Sequence, residues 1–361
     1  MLATCDRKTT MFVGVDVHRD THTAVGLSPF GEKLFEITVG NYEKDFALLT
    51  ARVDEVSRGA MLSPFYGLED CQSYGERLSA HLVGQGLSVV NVPPVLVDER
   101  RKHETHPEKS DALDALGVAK VMIQRIDTLP IFRISETSKK AKQIKELSQD
   151  REFLVSERTR LKNQLHTLLH RIWNSEYRVK FKNPFSKKAL TFWGKHVPKR
   201  SDEFVVRSMK RKLKRLIDIR EEVVELEEEL ETLLAESGST LSTASGVSTV
   251  IAAEIVGEVG DITRFHSPAA LAKYSGCSPR ECSSGKTSRH RKSRSGNRRL
   301  NRAFHRMALS QISRSGNDKA RVYFARKVSE GKSKSQALVC LRRQMVNIVW
   351  MMMKHGTEYR P

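Results

Sequence analysis

Cysteine, proline and tryptophan are sparse in this chain of 361 residues, with 5, 11 and 3 copies. The cysteines (Cys5, Cys71, Cys277, Cys282 and Cys340) form an odd, scattered set without the repeated short spacing of a zinc site. That excludes a disulfide-stapled secreted fold, and reduced thiols in a cytoplasmic protein are expected. No apolar signal segment stands at the amino end. Long hydrophobic runs are missing as well. The most apolar late stretch, 345–353, is too short to span a bilayer and contains Asn347, so a core helix is expected there and no membrane partner. Negative charge is the scarcer sign: 43 Asp and Glu face 62 Lys and Arg, a net charge of +19.

The excess base is clustered. Residues 176–215 hold 14 Lys and Arg against 3 acids, and residues 280–306 hold 10 against 1. One charge run is usually a solvated face, but two of them on so basic a chain point to a polyanionic partner, nucleic acid above all. The length itself predicts two or three domains.

Against this background a few carboxylates stand out. Residues 11–17, MFVGVDV, read as a buried strand rich in β-branched residues with one acid, Asp16, inside it. An ionised carboxylate is costly to bury unless a positive group meets it. The plain alternative is an Asp capping the turn before Asp20. Glu69 lies in the stretch FYGLEDC with Asp70 as a rival beside it, and Asp111 and Asp114 lie in KSDALDA. Spaced three apart on a helix, the last two share one face. Capping would explain Asp111; it explains Asp114 poorly, and Asp16 and Glu69 not at all. Four carboxylates at three places suit a pair of Mg²⁺ ions.

Strand candidates at 11–17, 23–28 and 33–39 predict an antiparallel meander. A helix near 42–57, a strand near 60–67, a helix near 72–84, a strand at 87–92 and a helix from 111 to about 124 follow. This order predicts an α/β domain over 1–130, a mixed sheet with helices packed on it. The polar stretch 98–109 is expected to be a mobile loop. Over 131–236, Ile144, Leu147, Leu154, Leu161, Leu165, Leu168 and Ile172, then Leu216, Ile219, Val223, Leu226, Leu230 and Leu233, repeat at heptad spacing. Arg151 and Arg158 fill two seam slots. A helical coiled-coil domain is expected, its helices turning back within the chain, pairing between subunits, or both, with a Pro- and Lys-rich connector at 183–200. The remainder, 237–361, is expected to be mainly α. Gly246 there suits either a turn that lets amides approach a phosphate or an ordinary helix start. The Ser- and Arg-rich stretch 281–300 reads as a flexible loop that hugs phosphates.

Several motifs fall in a familiar order: Gly14-Val15-Asp16, Leu68-Glu69, the KSDALDA stretch, a helical middle, Ser245-Gly246-Val247, then LAKYSGCSPR over 271–280 leading into Ser283-Ser284-Gly285. In this the chain resembles the transposases of the insertion-sequence one-ten family, the bridge-RNA-guided DNA recombinases, over residues 11–353. The resemblance implies a RuvC-type, RNase H-like amino-terminal domain with a DEDD metal site of Asp16, Glu69, Asp111 and Asp114. It implies a carboxy-terminal transposase domain whose catalytic serine falls on Ser284, with Ser283 adjacent. It implies Mg²⁺, double-stranded donor and target DNA, a structured guide RNA, and a homodimer that becomes a tetramer on DNA. The serine would attack a DNA phosphodiester, cleaving and rejoining strands beside the metal site. An alcohol needs such activation to be a nucleophile at neutral pH. Arg280, Lys286, Arg289, Arg291, Lys292, Arg294, Arg298 and Arg299 are the expected nucleic-acid contacts. The chain departs from the family pattern at Ser248, where a second Gly is usual.

Two rival functions remain open on the sequence. One is a RuvC-like metal-dependent nuclease that uses water and needs no serine. The other is a non-catalytic, basic nucleic-acid-binding protein whose carboxylates are structural.

Overall fold

The computed structural model describes residues 5–71, 73–101, 110–284, 287–292, 296–313 and 316–360, with 100–101, 280–284 and 287–292 described by backbone. The chain divides into two compact units, residues 1–138 with 263–266, and residues 139–262 with 267–361.

In the first unit β1 (Thr10–Val17) is the central strand. β2 (Thr21–Leu27) pairs with it antiparallel, and β3 (Lys33–Gly40) pairs antiparallel with β2. α1 (Glu43–Ala60) leads to β4 (Ser63–Leu68), which lies parallel to β1 on its other side. α2 (Glu76–Gly84) leads to the short β5 (Val89–Asn91), parallel to β4. The sheet order is β3-β2-β1-β4-β5. α3 (Pro94–Arg101) and α4 (Asp111–Arg125) complete the unit. α3 occupies the start of the stretch expected as a mobile loop, because Pro at a first helical position starts a helix as readily as it ends a strand. The rest of that expected loop, 102–109, lies outside the described residues.

All eight residues of β1 are buried, and the two-residue period of a strand sorts them. Met11, Val13, Val15 and Val17 share a core with Phe46, Leu49 and Val53 of α1 and Leu78 and Leu82 of α2. Phe12 belongs to a second core with Val97 of α3 and Val118, Val121 and Met122 of α4. Gly14 and Asp16 follow Phe12 onto that second face. A Cβ on Gly14 would stand 2.3 Å from the Ala115 carbonyl oxygen and the Ala119 nitrogen. Glycine therefore lets α4 lie directly on the strand.

The second unit is mostly helical. α5 (Glu136–Trp173) and α8 (Glu203–Glu236) run antiparallel. Lys140 Nζ donates to the Glu236 carbonyl at 2.9 Å, Arg151 Nε to Glu227 at 2.7 Å and Arg215 Nε to Glu157 at 3.1 Å. Leu154, Ile219 and Val223 pack between these ties. The connector joining the two helices is itself folded, as α6 (Glu176–Lys180) and α7 (Lys187–Lys195). Tyr177, Phe185, Leu190 and Trp193 are buried there against Leu165, Leu169, Met209, Leu213 and Leu216. Trp193 donates to the Pro184 carbonyl at 2.8 Å, and its ring centre lies 4.8 Å from that of Trp173. Aromatic burial, worth about 150–250 Å² per ring, decides this segment, and its many lysines decorate the outside.

α9 (Thr249–Val259) is buried from Ile251 onward and is followed by α10 (Pro268–Tyr274). The stretch expected as a flexible loop instead forms a hairpin, β6 (Pro279–Ser284) antiparallel to β7 (Thr287–Lys292). Neither strand alternates apolar with polar residues, so no hydrophobic period announced them; Gly285 between the two runs was the one turn signal in the sequence. α11 (Arg298–Ile312), α12 (Asp318–Ser329) and α13 (Lys334–His355) end the chain. The apolar stretch 345–353 falls within α13, where Met345, Val346, Val349 and Met352 are buried. Among the described residues no helix is long and apolar enough to cross a membrane.

Candidate functional site

Asp16 is the penultimate residue of β1 and is 5 % exposed. Ser110 caps α4, its hydroxyl accepting from the Leu113 amide at 3.2 Å. Asp111 is therefore the first helical residue and not the cap. Because α4 rests on Gly14, its first turn reaches the end of β1. His18 joins the two acids, with Nε2 3.1 Å from Asp16 Oδ2 and 3.2 Å from Asp111 Oδ1. The ligand atoms of Asp16, His18 and Asp111 lie within 4.8 Å of one another, a spacing that one cation can share. Asp114 follows one turn along α4 and is half-buried. Sequence reasoning missed His18. Its one signal is its place two residues past Asp16, which strand alternation carries onto the same face.

Glu69 comes directly after β4. The pairing of Val15 with Leu68 sets Glu69 level with Asp16 on the neighbouring strand. The turn that follows is held by the Ser73 amide, which donates to Asp70 Oδ1 at 3.0 Å, and by the Cys71 amide, which donates to Asn91 Oδ1 at 3.3 Å. Gly75 lets this turn close, since a Cβ there would stand 2.1 Å from the Asp70 carbonyl oxygen. Burial pushes the Cys71 thiol up to about 12. It stays protonated at neutral pH, and the oxygen and imidazole donors are left to define the site.

Ser284 ends β6 opposite Thr287, and Ser283 stands opposite Ser288. Along the same ladder Arg280 pairs with Arg291, Cys282 with Arg289 and Pro279 with Lys292. Four of the expected phosphate contacts thus follow the backbone of one hairpin. Lys286 and Arg294 lie outside the described residues. The structure brings Asp16 and Asp111 together with His18 in the first unit; Glu69, just past β4, and Asp114, one turn along α4, are not in that group, and Ser284 and the basic residues belong to the second unit.

Arg298 and Arg299 open α11. Arg298 is exposed. Arg299 is engaged within the protein, 3.4 Å from Glu152 of α5 and 3.8 Å from Glu258 of α9. Arg302 pairs with Glu152 and Arg306 with Glu254. Asn297, the cap of α11, donates to Glu258 at 2.6 Å. Acids far along the chain thus meet the later part of this basic cluster, which a count along the sequence does not show. Gly246 and Ser248 also have local duties. Gly246 takes a positive φ of 74° against Ser310, and Ser248 caps α9 by accepting from the Ile251 amide at 3.4 Å.

Residues 13–174 match the model of a transposase domain of the DEDD type from the IS110 group, and residues 238–325 match the one described as transposase of the IS116/IS110/IS902 family. The chain is 27 % identical over 400 residues to the insertion element IS116 uncharacterized 44.8 kDa protein of Streptomyces clavuligerus, covering 98 % of this chain and 97 % of that protein. It is 28 % identical over 401 residues to the insertion element IS110 uncharacterized 43.6 kDa protein of Streptomyces coelicolor, covering 97 % and 95 %. A third similarity, to the insertion element IS900 uncharacterized 42 kDa protein of Mycobacterium paratuberculosis, is 33 % over 118 residues, or 32 % of this chain and 29 % of that protein.

Proposed function

The chain belongs to the IS110 family of transposases, and on that premise we propose that it is an RNA-guided DNA recombinase with a carboxylate metal site and a serine nucleophile. The observation that carries the metal site is the meeting of Asp16 and Asp111 at His18. Carboxylate oxygens are the donors that Mg²⁺ takes, and the imidazole adds one that Mn²⁺ accepts as well. Asp16, Glu69, Asp111 and Asp114 would hold the ion. Bound there, a divalent ion would neutralise phosphate charge and lower the pKa of an attacking hydroxyl. The sheet order, with an acid near the end of its central strand, supports a RuvC-type, RNase H-like first domain.

In this reading the Ser284 oxygen forms a bond to a DNA phosphorus as the bond from phosphorus to one strand's oxygen breaks. The serine proton leaves to solvent, the departing oxygen takes one up, and the reverse step rejoins strands. Arg280, Arg289 and Arg291 offset the phosphate charge. The guide RNA, the homodimer and the division into 1–130, 131–236 and 237–361 belong to the same proposal.

Asp16→Ala and Asp114→Ala are expected to abolish strand cleavage and transfer while leaving the protein folded, because neither acid belongs to the apolar cores that hold the sheet and its helices together. Wild-type recombination by both variants in Mg²⁺ would refute the metal site. Ser284→Ala is expected to abolish any covalent protein–DNA species on denaturing gels, and Ser283→Ala to retain it. Cleavage by wild-type protein without an adduct would point to water as nucleophile. Mixing Asp16→Ala with Ser284→Ala protein, each inactive alone, restores activity if acids and serine are supplied by different chains; no recovery from demonstrated mixed dimers excludes that arrangement.

A further inference from the structure

Five basic side chains converge in the second unit at the end of the α5–α8 pair. Arg158, Lys162 and His166 stand at four-residue steps on one face of α5. Arg220 comes from α8, and Arg178 from α6. Lys162, His166, Arg178 and Arg220 gather around Phe185 and Tyr177, with Arg158 near Lys162 and Arg220. Lys162 Nζ lies 5.9 Å from the centre of the Phe185 ring, the His166 ring meets that ring edge-on at 4.7 Å, and Arg220 donates to the Phe185 carbonyl. His166 Nδ1 and Arg178 Nε each lie 3.0 Å from the Tyr177 hydroxyl. Arg158, Lys162, His166 and Arg220 are half-buried.

Neighbouring arginines have carboxylate partners: Arg151 has Glu227 and Arg215 has Glu157. Among the described residues no carboxylate forms an ion pair with any of the five. Burial first, and then the neighbouring cations, lower Lys162 and Arg220 from their ordinary pKa values, Arg158 acting on both. Like charges held together and partly out of water are unfavourable until an anion joins them.

The surroundings say which anion. Lys180, Lys182, Lys187, Lys188, Lys210 and Arg211 are all exposed on the adjoining segments. A lone phosphate ion has no use for a positive surface of that extent, whereas a chain of linked phosphates does. Beyond Arg220 the far part of α8, residues 221–236, holds eight acids and no Lys or Arg. It repels the same ligand and confines contact to the basic end.

We propose that Arg158, Lys162, His166, Arg178 and Arg220 seat neighbouring phosphates of a nucleic-acid backbone, in a site built from different elements than the carboxylate centre and the β6–β7 hairpin. The proposal rests on a nucleic-acid substrate but not on the metal or serine chemistry. The experiment uses full-length protein with a labelled DNA duplex and a labelled RNA duplex of unrelated sequence, and measures affinity against salt. Arg158→Gln/Lys162→Gln is expected to bind at least one duplex about tenfold more weakly and to flatten the slope of log affinity against log salt by about 2. In nucleic-acid-free buffer its melting temperature should equal or exceed that of wild type, since a repulsion is removed. The charge-matched control Lys334→Gln/Lys354→Gln, on α13, should leave the slope unchanged. If the double variant does not fold, Lys162→Gln alone is expected to lower the slope by about 1. An unchanged affinity and slope for both duplexes overturns the proposal. So does stabilisation of wild type by inorganic phosphate with no loss of duplex binding in the variant, which would mark an isolated anion site. Cleavage by the Asp16→Ala protein would instead refute the functional reading, whatever the slope.

Discussion

His166 shows how one side chain reports on its surroundings. Burial holds its pKa below the usual 6.5, and Arg178 and Lys162 push it the same way. In the unfolded chain the ring titrates normally. As pH falls below that value the unfolded state takes up a proton that the folded state resists. The contribution to stability is therefore present above about pH 6.5 and is lost as pH falls toward the folded pKa. His166→Gln is expected to lessen the fall in melting temperature on acidification, with melts across the pH series as the check; an unchanged slope would assign the acid sensitivity to another group. A seated phosphate reverses the sign, because the protonated ring then gains a partner, so duplex binding should tighten on mild acidification in wild type and less so in the variant. At this scale the sequence was partly legible. Asp16 was visible because a carboxylate interrupts an apolar strand, and Asp111 and Asp114 because they share a helical face. His18 was hidden, since only the approach of α4 makes it a neighbour of Asp111.

Gly14 is one residue that fixes how two elements meet. Its missing side chain sets the distance between β1 and α4, and so the distance between Asp16 and Asp111. Gly14→Ala would press a methyl group against helix backbone, which cannot swing aside as a side chain can. A loss of about 2–3 kcal/mol is expected from such overpacking, together with a smaller rise in melting temperature on adding Mg²⁺ or Mn²⁺. Melts with and without the ion test both; wild-type values would show that the helix approach does not control the site. Regular elements announced themselves by period, as in β1, in α4 and in the leucines of α5 and α8. Two segments hid their fold, the connector, for which none was expected, and the β6–β7 hairpin, expected as a loop, and they share a cause. Their lysines, arginines and serines dominate the composition, while what folds them is respectively a few interleaved aromatic rings and backbone pairing between polar strands, and neither leaves a periodic trace. Trp193→Ala tests the first, with an expected loss of about 3–5 kcal/mol read from denaturant unfolding.

Across the whole molecule charge is divided unequally. Residues 1–138 carry 15 Lys and Arg against 20 Asp and Glu, whereas residues 139–361 carry 47 against 23. The part with the carboxylate centre is acidic and the rest strongly basic, so attraction to nucleic acid arises almost wholly in the second part. Chelation of divalent ions is accordingly expected to abolish strand cleavage while leaving duplex affinity and its salt slope intact. A loss of binding on chelation would tie the grip on nucleic acid to the ion itself.

The paired rings of Trp173 and Trp193 have an optical consequence. All three tryptophans, these two and Trp350, lie in the second unit, so selective excitation of indole leaves the carboxylate unit dark. Trp173 and Trp193 belong to the same apolar cluster as Tyr177 and Phe185, the two rings the basic side chains surround. A strand settling on those side chains should quench or shift the emission, whereas the unit that holds the carboxylate centre contributes no indole of its own. The protein thus carries a built-in spectroscopic label for the basic cluster, read without any added dye.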